Sequence, residues 1–155
     1  MRKLPSLAAI ATLAAVAVIA PAPGASAAPS CSDNYRSAEA GYMYAYNGAY
    51  CEGLLGRAVG DDRDWGDSAS SFQGSDDNRA GSILNKGEYS VVKFMQFPRS
   101  FDGFNPHVCL TRSEGYASNL SDDYWMEDSS HHGSVNNDIS AHQWVGLDSC
   151  SAFAK

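Results

Sequence analysis

Two short stretches of this chain repeat one another, and that repeat constrains the fold more than any other feature. Asp77-Asn78-Arg79-Ala80-Gly81-Ser82-Ile83 and Asn136-Asn137-Asp138-Ile139-Ser140-Ala141-His142 each open with two adjacent Asp/Asn residues, skip two positions and then present a small or hydroxyl residue. They lie about sixty residues apart. One such motif alone is uninformative, but two in a small chain imply two similar structural units. Short oxygen-bearing side chains beside a tight turn are also what a hard cation such as calcium needs. Asp77, Asn78, Asn136 and Asn137 are therefore candidate ligands. The competing role for the same residues is the side-chain-to-backbone Asx turn.

The first segment reads as an export signal. Arg2 and Lys3 precede an Ala-rich apolar run from Leu7 to Ala20, and Ala25-Ser26-Ala27 has the small-x-small character of a cleavage site. Residues 1–27 are thus expected to be a signal peptide and the mature protein secreted and extracellular. A membrane anchor would need about 20 apolar residues, whereas Pro21, Pro23 and Gly24 interrupt this run. Roughly 128 residues remain, enough for one domain with a modest core. Without Arg2 and Lys3, eleven basic residues become nine against eighteen acidic ones, so a formal charge of −7 becomes −9. Such a surface repels phosphate backbones and anionic headgroups, so neither nucleic acid nor membrane is an expected partner.

All four cysteines, Cys31, Cys51, Cys109 and Cys150, follow the signal segment. An even count in a small secreted domain points to two disulfides, and no Cys-x-x-Cys spacing suggests a metal site. Of the three possible pairings, Cys31 with Cys51 and Cys109 with Cys150 is favoured, because each then closes a loop within one repeat unit.

Local patterning is that of an all-β chain. Tyr42–Tyr46, Tyr89–Phe94, Val108–Leu110 and Gln143–Gly146 are strand-like runs rich in aromatic and β-branched residues, separated by Gly, Asn, Asp and Ser. Asn85-Lys86-Gly87 is a turn that closes the first half, and a short helical turn is expected over 119–124 with Ser121 as cap. Residues 28–40 form an N-terminal extension and 41–150 a single domain, divided into halves at about 41–87 and 88–147. Gly53 and Gly103 mark corresponding hairpins, and Asp64-Trp65-Gly66-Asp67 corresponds to Asp122-Asp123-Tyr124-Trp125. Each half reads as strand, hairpin, strand, loop, oxygen-rich turn and strand, the pattern of a Greek key.

This order, an aromatic residue, a hairpin glycine and Asn/Asp-Asn/Asp-x-x-Ser/Thr-Ser, given twice, resembles the βγ-crystallin domain. The second half is the closer match, through Phe101-Asp102-Gly103, Asn119-Leu120-Ser121, Asn136-Asn137-Asp138-Ile139-Ser140 and Trp144. With a signal peptide, one domain and two disulfides, the chain is similar to the secreted bacterial metalloproteinase inhibitors of that fold. The resemblance implies a sandwich of two Greek keys and an extracellular protease as partner. It also implies a calcium site in which each motif borrows the fifth-position hydroxyl of the other. Ser140 supplies that hydroxyl but Gly81 cannot, so one weak site is expected rather than two. Ala141 replaces the sixth-position hydroxyl that Ser82 keeps.

Catalytic chemistry finds no support. His131 and His132 are adjacent, and His107 and His142 stand apart; no His-Glu-x-x-His, Gly-x-Ser-x-Gly or phosphate-binding loop occurs. The acidic clusters Asp61-Asp62-Arg63-Asp64 and Asp122-Asp123 read as solubilising loops, and Trp65, Trp125 and Trp144 as packing anchors of their halves. The expected protein is a monomer and not an enzyme. Its expected function is protease inhibition, through an unassigned loop for which 97–105 and 111–118 are candidates. A calcium-stabilised structural or binding module is the alternative, and a secreted antimicrobial toxin a less favoured one.

Overall fold

The computed structural model describes residues 30–99, 105–127 and 130–155. The signal segment and the Phe101-Asp102-Gly103 hairpin lie outside the described residues. Among the described residues nine strands form two antiparallel sheets. They are β1 (Met43–Tyr46), β2 (Leu54–Ala58), β3 (Ser82–Asn85), β4 (Val91–Met95), β5 (His107–Leu110), β6 (Tyr116–Ala117), β7 (Tyr124–Glu127), β8 (Ser130–Ser134) and β9 (Ala141–Val145). One sheet has the order β2-β1-β3-β6 and the other β8-β7-β5-β4-β9.

The two halves exchange their third segments. In the first half β1 pairs with β2 and β3, so the last strand returns beside the first, as in a Greek key. The intervening segment leaves for the other sheet, where Asp62 bridges His142 on β9. In the second half β4 likewise pairs with β5 and β9, while β6 crosses over to pair with β3. The hairpin β7–β8 is an addition to the second half that the sequence reading lacked.

Period-two alternation places the core between the sheets. Met43 and Ala45 of β1, Ile83 of β3, Val92 and Phe94 of β4, and Val108 and Leu110 of β5 meet there with Trp65, Phe72, Trp125 and Ile139, all buried. The opposite face of β1 is also buried. Tyr44, Tyr46 and Leu84 pack with Cys31 and Cys51 beneath a helix, α1 (Cys31–Ser37), in the stretch read as a bare extension. Ser30 and Asp33 form a capping box at its start, which satisfies otherwise orphaned N–H groups. The Cys31–Cys51 bond staples α1 to the first half and Cys109–Cys150 ties β5 to the end of the second. Beyond residue 150, Cys109 N donates to Ala152 O at 2.8 Å and Ala154 N to Cys109 O at 2.9 Å, extending the fold past its expected boundary.

The helical turn expected over 119–124 is absent. Asn119 Oδ1 instead accepts from Ser121 N and Oγ, a local Asx turn that competes with helix.

Candidate functional site

The two repeated motifs meet across the pseudo-twofold relation between the halves. Asn78 and Asn137, the second residue of each, adopt left-handed backbone conformations with φ of 56° and 57°, which Asn tolerates better than most residues. Asn78 N donates to Ile139 O at 3.0 Å, and Asn137 N donates to Ala80 O at 2.9 Å. The fifth residues are equally matched: Gly81 N donates to Tyr46 O at the end of β1, and Ser140 N to Met95 O at the end of β4. Main-chain bonds thus bring Asn78 and Asn137 to one junction built from both halves, whereas Asn136 N donates locally, to Ser134 Oγ at 3.2 Å.

The side chains break this symmetry. On one side Ser140 Oγ reaches Asn78 Oδ1 at 3.3 Å, and Asn78 Nδ2 donates to Asp77 Oδ2 at 2.9 Å. Asp77 Oδ1 is buried and has no hydrogen-bond partner among the described residues. A Cβ placed on Gly66 would lie 3.0 Å from Asp64 Oδ1 and 3.7 Å from Asp77 Oδ2, so the Asp64 carboxylate borders the same spot. Asp64 belongs to the acidic cluster and to the Asp64-Trp65-Gly66-Asp67 segment and is not among the ligands expected from the repeat. Its Asx-type bond to Gly66 N, at 2.8 Å, is what aims it there.

On the other side no hydroxyl is possible. A Cβ at Gly81 would lie 2.8 Å from Asn47 O and 2.9 Å from the Gly48 carbonyl carbon, so the β1–β2 hairpin fills the space a serine would need. Ser82 holds that hairpin in place, accepting from Cys51 N at 2.9 Å and donating to Gly48 O at 2.7 Å. Asp138 is also occupied, accepting from Trp125 Nε1 at 2.8 Å and Gln96 Nε2 at 2.7 Å. No group of three or more His, Cys, Asp or Glu side chains suited to a metal occurs among the described residues. An ion in this corner would depend on amide, hydroxyl and main-chain oxygens as well as Asp77.

Several polar residues read as solvated turn out to be structural. Asp62 is buried, accepting from Asp64 N, Ser70 Oγ and Phe72 N. The carboxylate gathers three donors because Asp64 N and Phe72 N lie beyond the single Asp62–His142 bridge, in a loop without strand pairing of its own. His142 is fully buried: Trp65 Nε1 donates to its Nδ1 at 2.9 Å, and its Nε2 lies 2.9 Å from Gly60 O. These contacts fix a neutral ring protonated at Nε2, and burial holds its pKa below the usual histidine value. Trp65 stacks on Phe72 and meets His142 of the second half, so it anchors the junction rather than its own half. Trp125 is fully buried as expected, whereas Trp144 is partly buried.

Fold and corner geometry together define a two-sheet β-sandwich of paired Greek keys with matched left-handed asparagines at the junction. No family model and no curated protein matches the chain. A solved structure titled "Evolution of the eye lens beta-gamma-crystallin domain fold" is similar, at 14% identity and a TM-score of 0.49, over 71% of this chain and 90% of that one.

Proposed function

We propose that the chain is a secreted, calcium-stabilised β-sandwich module with one ion site, formed by Asp77, Asn78 and Ser140. The observation that carries this reading is the buried Asp77 Oδ1, without a hydrogen-bond partner among the described residues, in a carboxylate whose Oδ2 accepts from Asn78 Nδ2 while Asn78 Oδ1 accepts from Ser140 Oγ. A buried carboxylate oxygen without a donor costs free energy, and a cation removes that cost. Calcium suits the site because its oxygen ligands can be flexible and mixed. Low ligand charge sets the affinity at about 10⁻⁴ to 10⁻³ M. At tenfold excess over the dissociation constant the gain in stability is about 1.4 kcal/mol. Two disulfides fit an oxidising extracellular compartment. No helix among the described residues is long and apolar enough to cross a membrane.

Thermal melts with millimolar calcium and with chelator test the reading. The midpoint rises with calcium in the unaltered chain, and the rise is lost in Ser140→Ala and Asp77→Asn. An unchanged midpoint in the unaltered chain refutes it.

Protease inhibition is a second reading, supported by one loop. Arg112 and Ser113 are exposed at the tip of a turn in which Glu114 Oε2 accepts from Thr111 N at 3.0 Å and Thr111 Oγ1 at 2.7 Å. This turn follows Cys109, whose disulfide braces it. A rigid, exposed loop loses little entropy on entering a protease cleft. Segment 111–118 is therefore preferred over 97–105, part of which lies outside the described residues. Stoichiometric excess of the oxidised chain over a thermolysin-like protease would slow cleavage, and Arg112→Ala would weaken that effect. No slowing removes this reading.

A further inference from the structure

The outer face of the β1–β2 hairpin carries a cleft of about 530 Å³, within the span of about 300–1,000 Å³ usual for small-molecule sites. Tyr44 and Tyr46 of β1 and Leu54 and Arg57 of β2 make its floor, Tyr44 standing opposite Arg57 and Tyr46 opposite Leu54. Asn34 of α1 and Glu39 just beyond the helix stand on its wall. Tyr46 is only 6% exposed, and its hydroxyl has no hydrogen-bond partner among the described residues, whereas the Tyr44 hydroxyl accepts from Glu39 N at 2.9 Å. The partnerless side-chain atoms closed off from solvent are Asp77 Oδ1, Asp123 Oδ2 and Trp144 Nε1 among the described residues. The Tyr46 hydroxyl is not one of them: it keeps open surface, and the cleft is what it opens on.

The groups that converge here narrow what the cleft can accept. Arg57 Nη1 lies 2.7 Å from Glu39 Oε2, so the two charges on the lining cancel. A carboxylate ligand would meet Glu39 and an ammonium would meet Arg57, which disfavours either ion. A flat base calls for an open aromatic face, and Tyr44 and Tyr46, each 6% exposed, offer hydroxyls rather than ring faces. What remains is uncharged hydrogen bonding in both directions. Asn34 Nδ2 donates to Cys51 O at 2.9 Å, which leaves its Oδ1 as an acceptor, and the guanidinium fork keeps donors beyond the one that Glu39 takes. Burial, with Tyr44 close by, raises the Tyr46 pKa above the usual phenol value, so this group stays protonated and both donates and accepts. Leu54, 57% exposed, adds an apolar surface for C–H groups.

We propose that this cleft binds an uncharged sugar ring, one hydroxyl of the sugar meeting the Tyr46 hydroxyl, others meeting Arg57 and Asn34, and the C–H face lying on Leu54. Each sugar hydroxyl both donates and accepts, which matches a lining of donors and acceptors without net charge. The site is also preorganised, since Arg57 is held by Glu39 and lies 4.5 Å from the centre of the Tyr42 ring, and the Cys31–Cys51 bond fixes α1 over the hairpin. A phenylalanine at position 46 would make the same ring contacts without leaving a hydroxyl unpaired, so the packing alone does not account for tyrosine here.

The test is an NMR titration of the oxidised full chain with the methyl glycosides of glucose, galactose, mannose and N-acetylglucosamine, and with sodium acetate and methylammonium chloride as charged controls. Saturable shifts at the Tyr46, Leu54 and Arg57 amides are expected with at least one glycoside and with neither control. Tyr46→Phe removes one neutral hydrogen bond and should weaken that glycoside about three- to tenfold. Arg57→Ala, on the exposed rim, should weaken it as well and leaves the buried tyrosines in place, so the proposal stays testable if the substitution at 46 unsettles the fold. Absence of saturable shifts with every glycoside overturns the proposal. Acetate or methylammonium binding at the same amides overturns it in favour of an ion site, and glycoside binding unchanged in both variants shows that the sugar sits elsewhere and overturns it too.

Discussion

Replacing Gly81 by serine separates what the repeated motif suggests from what the packing allows. By motif alone, Gly81→Ser restores the missing hydroxyl of the second corner and adds a calcium ligand. By geometry, the new Cβ would lie 2.8 Å from Asn47 O, 2.9 Å from the Gly48 carbonyl carbon and 3.2 Å from Ala49 N, all main-chain atoms. Comfortable contacts lie at about 3.5–4.0 Å, so the hairpin must retreat by more than half an ångström. It is held by the Ser82 bonds, by the Cys31–Cys51 staple and by Tyr50 N donating to Ser118 O at 2.6 Å. Overpacking costs about 1–3 kcal/mol, and a braced backbone places this case at about 2–3 kcal/mol. At roughly 3–4 °C per kcal/mol for a domain of this size, the melting midpoint in chelator falls by about 6–12 °C. A rescued weak calcium site returns only about 1.4 kcal/mol at tenfold excess, so the variant stays below the parent even with calcium. Differential scanning calorimetry on the oxidised chain, with Gly81→Ala as control, measures this. Both variants should fall together, since the Cβ is the cause. A Gly81→Ser midpoint at or above that of the parent in chelator would refute the packing argument.

The other predictions concern the junction, the helix and pH. Asp62→Ala strands the Asp64, Ser70 and Phe72 donors and should lower stability by about 3 kcal/mol, read by urea unfolding. Replacing both Cys31 and Cys51 by serine opens a bridge of sequence separation 20 and should cost about 3 kcal/mol; a proteolytic cut within α1 while the sandwich stays folded would confirm that the staple serves the helix. Stability should fall as pH drops below the ordinary histidine value, because the unfolded chain takes up a proton that buried His142 refuses. Asp123 works the other way: its pKa is raised to about 6, so acidification from there toward 3.8 favours the folded state. Asp123→Asn should therefore steepen the acid loss, and a flat profile in both proteins would contradict the linkage.

Four strands were legible as runs of aromatic and β-branched residues, whereas β2, β3 and β7 were not singled out although Ala58, Ile83 and Trp125 reach the core. The runs 42–46, 89–94, 108–110 and 143–146 fall on β1, β4, β5 and β9 within two residues. The two-residue β6 escaped notice, since its pairing with β3 is imposed by tertiary crossover rather than by its own pattern. The helix α1 was missed although Ser30-x-x-Asp33 is a capping-box spacing, because seven residues are too few for amphipathic periodicity to register. Polar residues were misjudged most. Asp62, Asp123 and His142 look solvated in one dimension, and only the partners brought by distant segments reveal them as buried.

The two corners put different side chains on the same backbone geometry. Main-chain bonds keep both motifs in register, Asn78 to Ile139 and Asn137 to Ala80, and these need only backbone atoms and two left-handed asparagines. The side chains at matched positions differ. In the first half the β1–β2 hairpin packs onto Gly81, and the space a ligand hydroxyl would occupy is filled by that contact. Ser140 donates its N–H to Met95 O just as Gly81 does to Tyr46 O, yet keeps its hydroxyl aimed at Asn78. One motif thus carries the packing of the stapled hairpin and the other supplies the hydroxyl. Removing either should therefore have separable effects: Ser140→Ala abolishes the calcium response with little change in chelator, whereas Gly81→Ser lowers stability in both conditions.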